Sequence, residues 1–76
     1  MIVAKYEKQP KNTGGGYARW EDKDLLVFVS PNGNRTQRRL TAIHEVLDAH
    51  LNGRIAHKRI DPLAIAIVDC LIQLNL

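Results

Sequence analysis

Residues 40–51 read LTAIHEVLDAHL, and this stretch has the spacing of an amphipathic helix. Its apolar residues and one histidine recur at intervals of three and four: Leu40, Ile43, His44, Leu47 and Leu51. The pattern predicts a helix that starts near residue 35, with Asn34 or Thr36 as the capping residue. Asn52-Gly53 predicts its end, because glycine takes the left-handed conformation at little cost.

Strand patterns precede this helix, and a second helix pattern follows it. The segments MIVAKYEK, YARW and LLVFVS read as strands, the last two flanking the polar loop EDKD. After the connector RIAHKRI, the segment PLAIAIVDCLIQLNL reads as a helix, with Asp61 as N-cap and Pro62 in the first turn. We therefore expect a single α+β domain over residues 1–76, with a small antiparallel sheet of two or three strands followed by two packed helices.

The chain is small, with 76 residues, of which 45% are hydrophobic and 25% charged. This balance is typical of a folded domain, but domains of this size usually need a metal, disulfides or a partner subunit for stability. Cys70 is the only cysteine, which excludes a disulfide within one chain and, with no signal-peptide pattern, favours a cytoplasmic location. The longest apolar run, residues 63–68, is too short to span a membrane.

The second predicted helix is apolar around almost its whole circumference. One face carries Leu63, Ala64, Ile67, Val68, Leu71 and Leu74, and the residues that widen it are Ile65, Ala66 and Ile72. One small sheet and one helix cannot cover so much apolar surface. The sequence therefore predicts a homo-oligomer that associates through this helix.

Positive charge is concentrated in the middle of the chain, which has a net charge of +3. Arg35, Arg38 and Arg39 form one cluster, and a second lies within residues 54–59. Such clusters can contact phosphates, or they can serve solubility alone. Because few aromatic side chains are available for stacking, we expect any nucleic-acid binding to be weak and dependent on salt.

His44, Glu45 and Asp48 have the spacing of a metal site on a helix. His44 and Asp48 lie one turn apart, so their side chains can converge on one ion, and Glu45 can activate a water molecule bound to it. In the competing interpretation, His44 is a core histidine hydrogen-bonded to Asp48. Asp69, a carboxylate in an apolar helix, also needs a partner, which His44 or an arginine could supply.

Residues 38–49, RRLTAIHEVLDA, resemble the active helix of zincin metallopeptidases, and most of all that of small phage-encoded zincin-like proteins. The resemblance implies zinc as the metal, His44 as its first ligand and Glu45 as the general base. Asp48 stands where the family has its second histidine. The third ligand implied is Asp61 or Asp69, with His57 as a further candidate.

Two functions compete, and only the first follows from the resemblance. The first is a degenerate metallopeptidase with a vestigial or altered metal site. The second is a binding module without catalysis that acts on a protein, such as a host protein, or on nucleic acid, through the basic cluster or the last helix. Because the second histidine is absent, a non-catalytic protein is favoured over an enzyme; an enzyme would be a metal-dependent hydrolase.

Overall fold

The computed structural model describes residues 1–10 and 14–76. Three strands precede two helices, and a short 3-10 turn joins the helices. The elements are β1 (Ile2–Tyr6), β2 (Gly16–Glu21), β3 (Asp24–Val29), α1 (Arg35–Leu51), the 3-10 turn (His57–Arg59) and α2 (Ile60–Gln73). The α+β fold with two helices after a small sheet is thus confirmed.

The sheet has the order β1-β3-β2, so the apolar β3 is the central strand. The strands β2 and β3 form an antiparallel hairpin that turns at Asp22 and Lys23, next to the Glu21–Asp24 pair. The strand β1 runs parallel to β3, with Ile2 opposite Leu25. The sheet is therefore mixed, and the expected antiparallel pairing is present only between β2 and β3.

The core lies between one face of the sheet and α1. Leu25, Val27 and Val29 alternate along β3 and are the buried residues of the sheet. Three helix residues pack against them from α1: Ala42, Val46 and Ala49. Leu40, Ile43, His44 and Leu47 project from the other side of α1, where α2 packs. Since α1 lies between the sheet and α2, these four residues, His44 among them, line the interface between α1 and α2.

Both ends of α1 are as the sequence predicts. The side chain of Asn34 accepts a hydrogen bond from the backbone N–H of Gln37 at 2.9 Å. The Gln37 side chain accepts one from the backbone N–H of Asn34, also at 2.9 Å, which completes a capping box. The helix ends at Leu51, and Gly53 has a φ of +78°. These local signals determine where α1 begins and ends.

The helix α2 starts two residues earlier than expected, at Ile60 instead of Pro62. Asp61 is therefore not its N-cap: Arg59 occupies that position without a side-chain cap, and the Asp61 carboxylate is free to turn towards α1. A narrow stripe of α2 is buried against the rest of the chain, namely Ile60, Ala64 and Val68. Among the described residues, no helix combines the length and apolar character needed to cross a membrane.

Candidate metal centre

The site begins with a hydrogen bond between α1 and α2. The Nδ1 atom of His44 lies 2.6 Å from Oδ1 of Asp61, and the His44 side chain is only 22% exposed. An ionised carboxylate accepts hydrogen bonds and cannot donate them, so Nδ1 carries the proton and donates to Asp61. In the neutral imidazole this leaves the lone pair of Nε2 free to bind an ion.

A second contact joins α1 to the 3-10 turn. The Nε2 atom of His57 lies 3.7 Å from Oδ1 of Asp48, one turn along α1 from His44. The rings of His44 and His57 meet edge to face, with their centroids 5.6 Å apart. His57 therefore stands beside both helix residues, although it lies nine positions beyond Asp48 in the chain.

These contacts bring three metal-binding side chains together. One ligand atom from each of His44, Asp48 and His57 lies within 4.8 Å of the others. Zinc binds nitrogen and oxygen at about 2.0–2.2 Å, so two ligand atoms in a tetrahedral site are about 3.3 Å apart. The Asp48–His57 pair is already near that spacing at 3.7 Å. The two distances to His44 are at most 4.8 Å, so the group would have to contract by up to about 1.5 Å to hold an ion.

Glu45 is the acidic residue next to this group. Burial raises the pKa of its carboxyl, and the charge of Asp48 raises it further, while His44 and His57 oppose the shift. Glu45 also lines two adjacent cavities, one with His44 and Asp61 and the other with Asp48 and Trp20. Glu45 is thus a partly desolvated carboxylate that lines both cavities beside the group.

The cavity that contains His44, Glu45 and Asp61 has a volume of about 440 Å³. Its opposite wall is the glycine run at the start of β2, Gly14–Gly16. A Cβ atom at Gly15 would lie 2.8 Å from Oγ1 of Thr41, and one at Gly16 would clash with the carbonyl oxygen of Phe28. The absence of side chains at Gly15 and Gly16 therefore lets β2 pack closely against α1. This close packing, and not only chain flexibility, accounts for glycine at these positions.

The other expected ligands lie in two different places. Asp61 is in contact with His44 but outside the three-residue group. Asp69 lies further along α2, is exposed, and accepts a hydrogen bond from Gln73 at 3.2 Å. It is therefore not a buried carboxylate in need of His44. The sequence also suggested Asp48 as the hydrogen-bond partner of His44. In the structure the partner of His44 is Asp61.

The basic cluster is separate from this group. Arg35, Arg38 and Arg39 lie in the first turns of α1 and line a cavity with β1 that shares no residue with the His44 cavity. The sequence singled out His57 only as a further candidate. The sequence feature that points to His57 as a ligand is its position just before the second helix. There a short connector must bring the chain back to α1.

Comparisons of the chain with protein-family models, with curated proteins and with solved structures found no match. The chemistry that the site can support therefore depends on its ligand atoms, their distances and their burial. A zincin relationship is accordingly a proposal, supported by the His44-Glu45 pair on a helix and by the carboxylate of Asp48 one turn later.

Proposed function

We propose that the protein binds a zinc ion through Nε2 of His44, the carboxylate of Asp48 and an imidazole nitrogen of His57. The observation that carries this proposal is the convergence of these three side chains within 4.8 Å. The hydrogen bond from Nδ1 of His44 to Asp61 supports it, because metal-bound histidines usually donate their other N–H to a carboxylate or carbonyl. Asp61 is thus a positioning residue for His44.

The ligand set explains how a zincin-like helix can lack its second histidine. Two imidazoles and one carboxylate form a set that zinc hydrolases use. In this chain the carboxylate comes from α1, as Asp48, and the second imidazole comes from the 3-10 turn, as His57. The site is therefore rearranged rather than vestigial, and it keeps the composition that suits zinc.

We further propose that this centre hydrolyses an amide or ester bond. A zinc ion held by His44, Asp48 and His57 would supply the activation of a water molecule for hydrolysis. Glu45 lines the cavity beside His44 and is partly desolvated, so it would be the general base of this chemistry. The cavity beside His44 would receive the substrate.

Two measurements test the two parts of this function separately. Metal content and zinc titration of protein purified without chelator test the binding site. Hydrolysis of a fluorogenic peptide and of an activated ester, with wild type and Glu45→Gln, tests the chemistry. We expect wild type to bind one zinc ion and to hydrolyse one of the two substrates, and Glu45→Gln to keep the ion and lose the activity. Zinc binding with no activity on either substrate would contradict the hydrolase while leaving the metal site standing.

A further inference from the structure

A basic groove lies between β1 and the first turns of α1, away from the candidate metal centre. The helix α1 covers β2 and β3, while Ala4 and Tyr6 on the helix side of β1 stay exposed. The space left has a volume of about 440 Å³. We define the arginine groove by the residues that line it: Ala4, Lys5, Tyr6, Val29, Arg35, Arg38, Arg39 and Ala42.

The positive charge of the arginine groove favours binding of an anion. Four of its residues are cationic, and within residues 1–10 and 14–76 none of the four forms an ion pair with a carboxylate. Three of them lie in the first turns of α1, where the helix dipole disfavours positive charge, and the first turn has no acidic residue. This arrangement is unfavourable for the helix alone, and a bound anion would relieve it.

Tyr6 adds an aromatic platform to the arginine groove. Its side chain is 68% exposed, and the guanidinium carbon of Arg38 lies 6.0 Å from the ring centroid. Arg38 itself is held by a hydrogen bond of 2.7 Å to the carbonyl oxygen of Gly33. A planar cation beside an exposed ring is the combination that stacks a base while neutralising a phosphate.

We propose that the arginine groove binds a nucleotide unit, with its phosphate on Arg35, Arg38 and Arg39 and its base on Tyr6. Ala4, Val29 and Ala42 supply a small apolar floor under the base. The volume is within the range of small-ligand sites. The unit is either a free nucleotide or part of a single strand, since both present the same phosphate and base.

Fluorescence anisotropy and competition test this proposal. The probes are a labelled twelve-nucleotide single strand, the corresponding duplex, ATP, inorganic phosphate and a polyglutamate peptide. We expect Arg35→Gln or Arg39→Gln to weaken binding several-fold and Tyr6→Leu to weaken binding of the strand or of ATP by about tenfold. Tyr6→Leu should leave polyglutamate binding unchanged. Arg54→Gln, which removes the same charge outside the groove, is the control.

The outcomes separate the ligand sources. Binding of the single strand but not of ATP identifies a strand, and equal binding of ATP identifies a free nucleotide. Polyglutamate that binds as tightly as the strand, with no effect of Tyr6→Leu, would overturn the proposal in favour of an acidic protein partner. Duplex binding that Arg54→Gln weakens as much as Arg39→Gln does would also overturn it.

The exposed side of α2 carries a second, independent inference. Leu63, Ile67, Cys70 and Leu74 follow one another at intervals of four, three and four, which is the spacing of a coiled-coil seam. All four are exposed: the three apolar side chains are 41%, 39% and 61% exposed, in chain order. We call these four residues the α2 seam. No charged residue interrupts it.

The surface area of the chain supports pairing of this seam with a second copy. A monomer of 8.6 kDa has an accessible area of about 4,700 Å². The chain exposes 5771 Å², an excess of about 1,100 Å², which is more than the roughly 800 Å² that each partner buries in a standard interface. An uncharged heptad seam fits another copy of itself. We propose that the protein forms a homodimer through the α2 seam.

Light scattering between 10 and 200 μM tests the dimer. We expect a mass of twice 8.6 kDa for wild type and for Ile65→Lys, and a mass of 8.6 kDa for Ile67→Lys. Ile65 is 57% exposed on the other flank of α2, so it is the matched control. The reactivity of the Cys70 thiol, measured on wild type, should fall as concentration rises. A mass of 8.6 kDa and constant thiol reactivity at every concentration would refute the dimer.

Discussion

His44 and Asp61 are joined across the interface of the two helices, with Nδ1 of the ring 2.6 Å from Oδ1 of the carboxylate. The contact does two things at once. It ties the start of α2 to the middle of α1, and it fixes which nitrogen of His44 carries the proton. The other nitrogen, Nε2, is then the one with a free lone pair, and one nitrogen of this ring lies within 4.8 Å of ligand atoms of Asp48 and His57.

Asp61→Ala should lower zinc affinity by about 10- to 100-fold, because His44 loses the carboxylate that orients it. Asp61→Asn should recover part of this loss, since its amide oxygen still accepts the Nδ1 proton. Competition with a chromophoric chelator measures both. Asp69→Ala, on the same helix but hydrogen-bonded to Gln73, is the control and should bind as wild type does. Equal losses in the Asp61 and Asp69 variants would contradict a specific role for Asp61.

Glu45→Gln should stabilise the metal-free protein at pH 7. Burial raises the pKa of Glu45 above its ordinary value of 4.5, so the folded state favours the protonated carboxyl. The stability that this provides is present below pH 4.5 and is lost as the pH rises through the folded-state pKa. The neutral amide avoids that loss, so the variant and wild type should differ at pH 7 and converge near pH 4.

Urea denaturation with chelator at pH 4 and pH 7 measures this difference. Glu21→Gln is the control, because Glu21 lies at an exposed strand end and its side chain is 65% exposed. If the stabilities of Glu45→Gln and wild type stay parallel between the two pH values, Glu45 is not desolvated in the way described.

Gly15→Ala should destabilise the protein by about 1–3 kcal/mol, because the new methyl group would lie 2.8 Å from Oγ1 of Thr41. Thr41→Ala removes that atom, so the double variant should regain much of the loss. Gly16→Ala should regain much less from Thr41→Ala, since its Cβ clashes with the backbone oxygen of Phe28 as well as lying 3.0 Å from Cγ2 of Thr41, and the backbone clash would remain. Thermal melts of the set give the coupling. Additive losses for Gly15 and Thr41 would mean that β2 does not approach α1 so closely.

The features of the fold that depend only on residues close together in the chain could be predicted from the sequence. The Asn34 cap, the helical stripe of α1 and the stop at Gly53 are local features, and each is where the pattern predicts it. The pairing of β1 with β3 joins residues far apart in the chain, so no local pattern reveals that it is parallel. Register and direction of such a pair are set by packing of the whole sheet.

In the candidate site, too, one part could be predicted from local sequence spacing and the other could not. The one-turn spacing of His44 and Asp48 is visible in the sequence, because it is a property of a single helix. The roles of His57 and Asp61 depend on where the connector places the start of α2. Ile60 is 1% exposed, and its burial accompanies a helix that begins one residue before Asp61. Asp61 is thereby released from capping and meets His44, which no pattern of spacing could specify.

Zinc titration of His57→Ala tests the rearranged metal centre most directly. The matched control is His50→Ala, the loss of a histidine that contacts Trp20 and lies outside the ligand group. At a zinc concentration of about 100 times the dissociation constant, binding stabilises the folded state by about 2.7 kcal/mol. In a domain of this size that raises the melting temperature by roughly 10–20 °C. Wild type and His50→Ala should show this rise, and His57→Ala should lose most of it. A rise in His57→Ala equal to that of wild type, or no rise in any of the three proteins, would contradict the proposed centre.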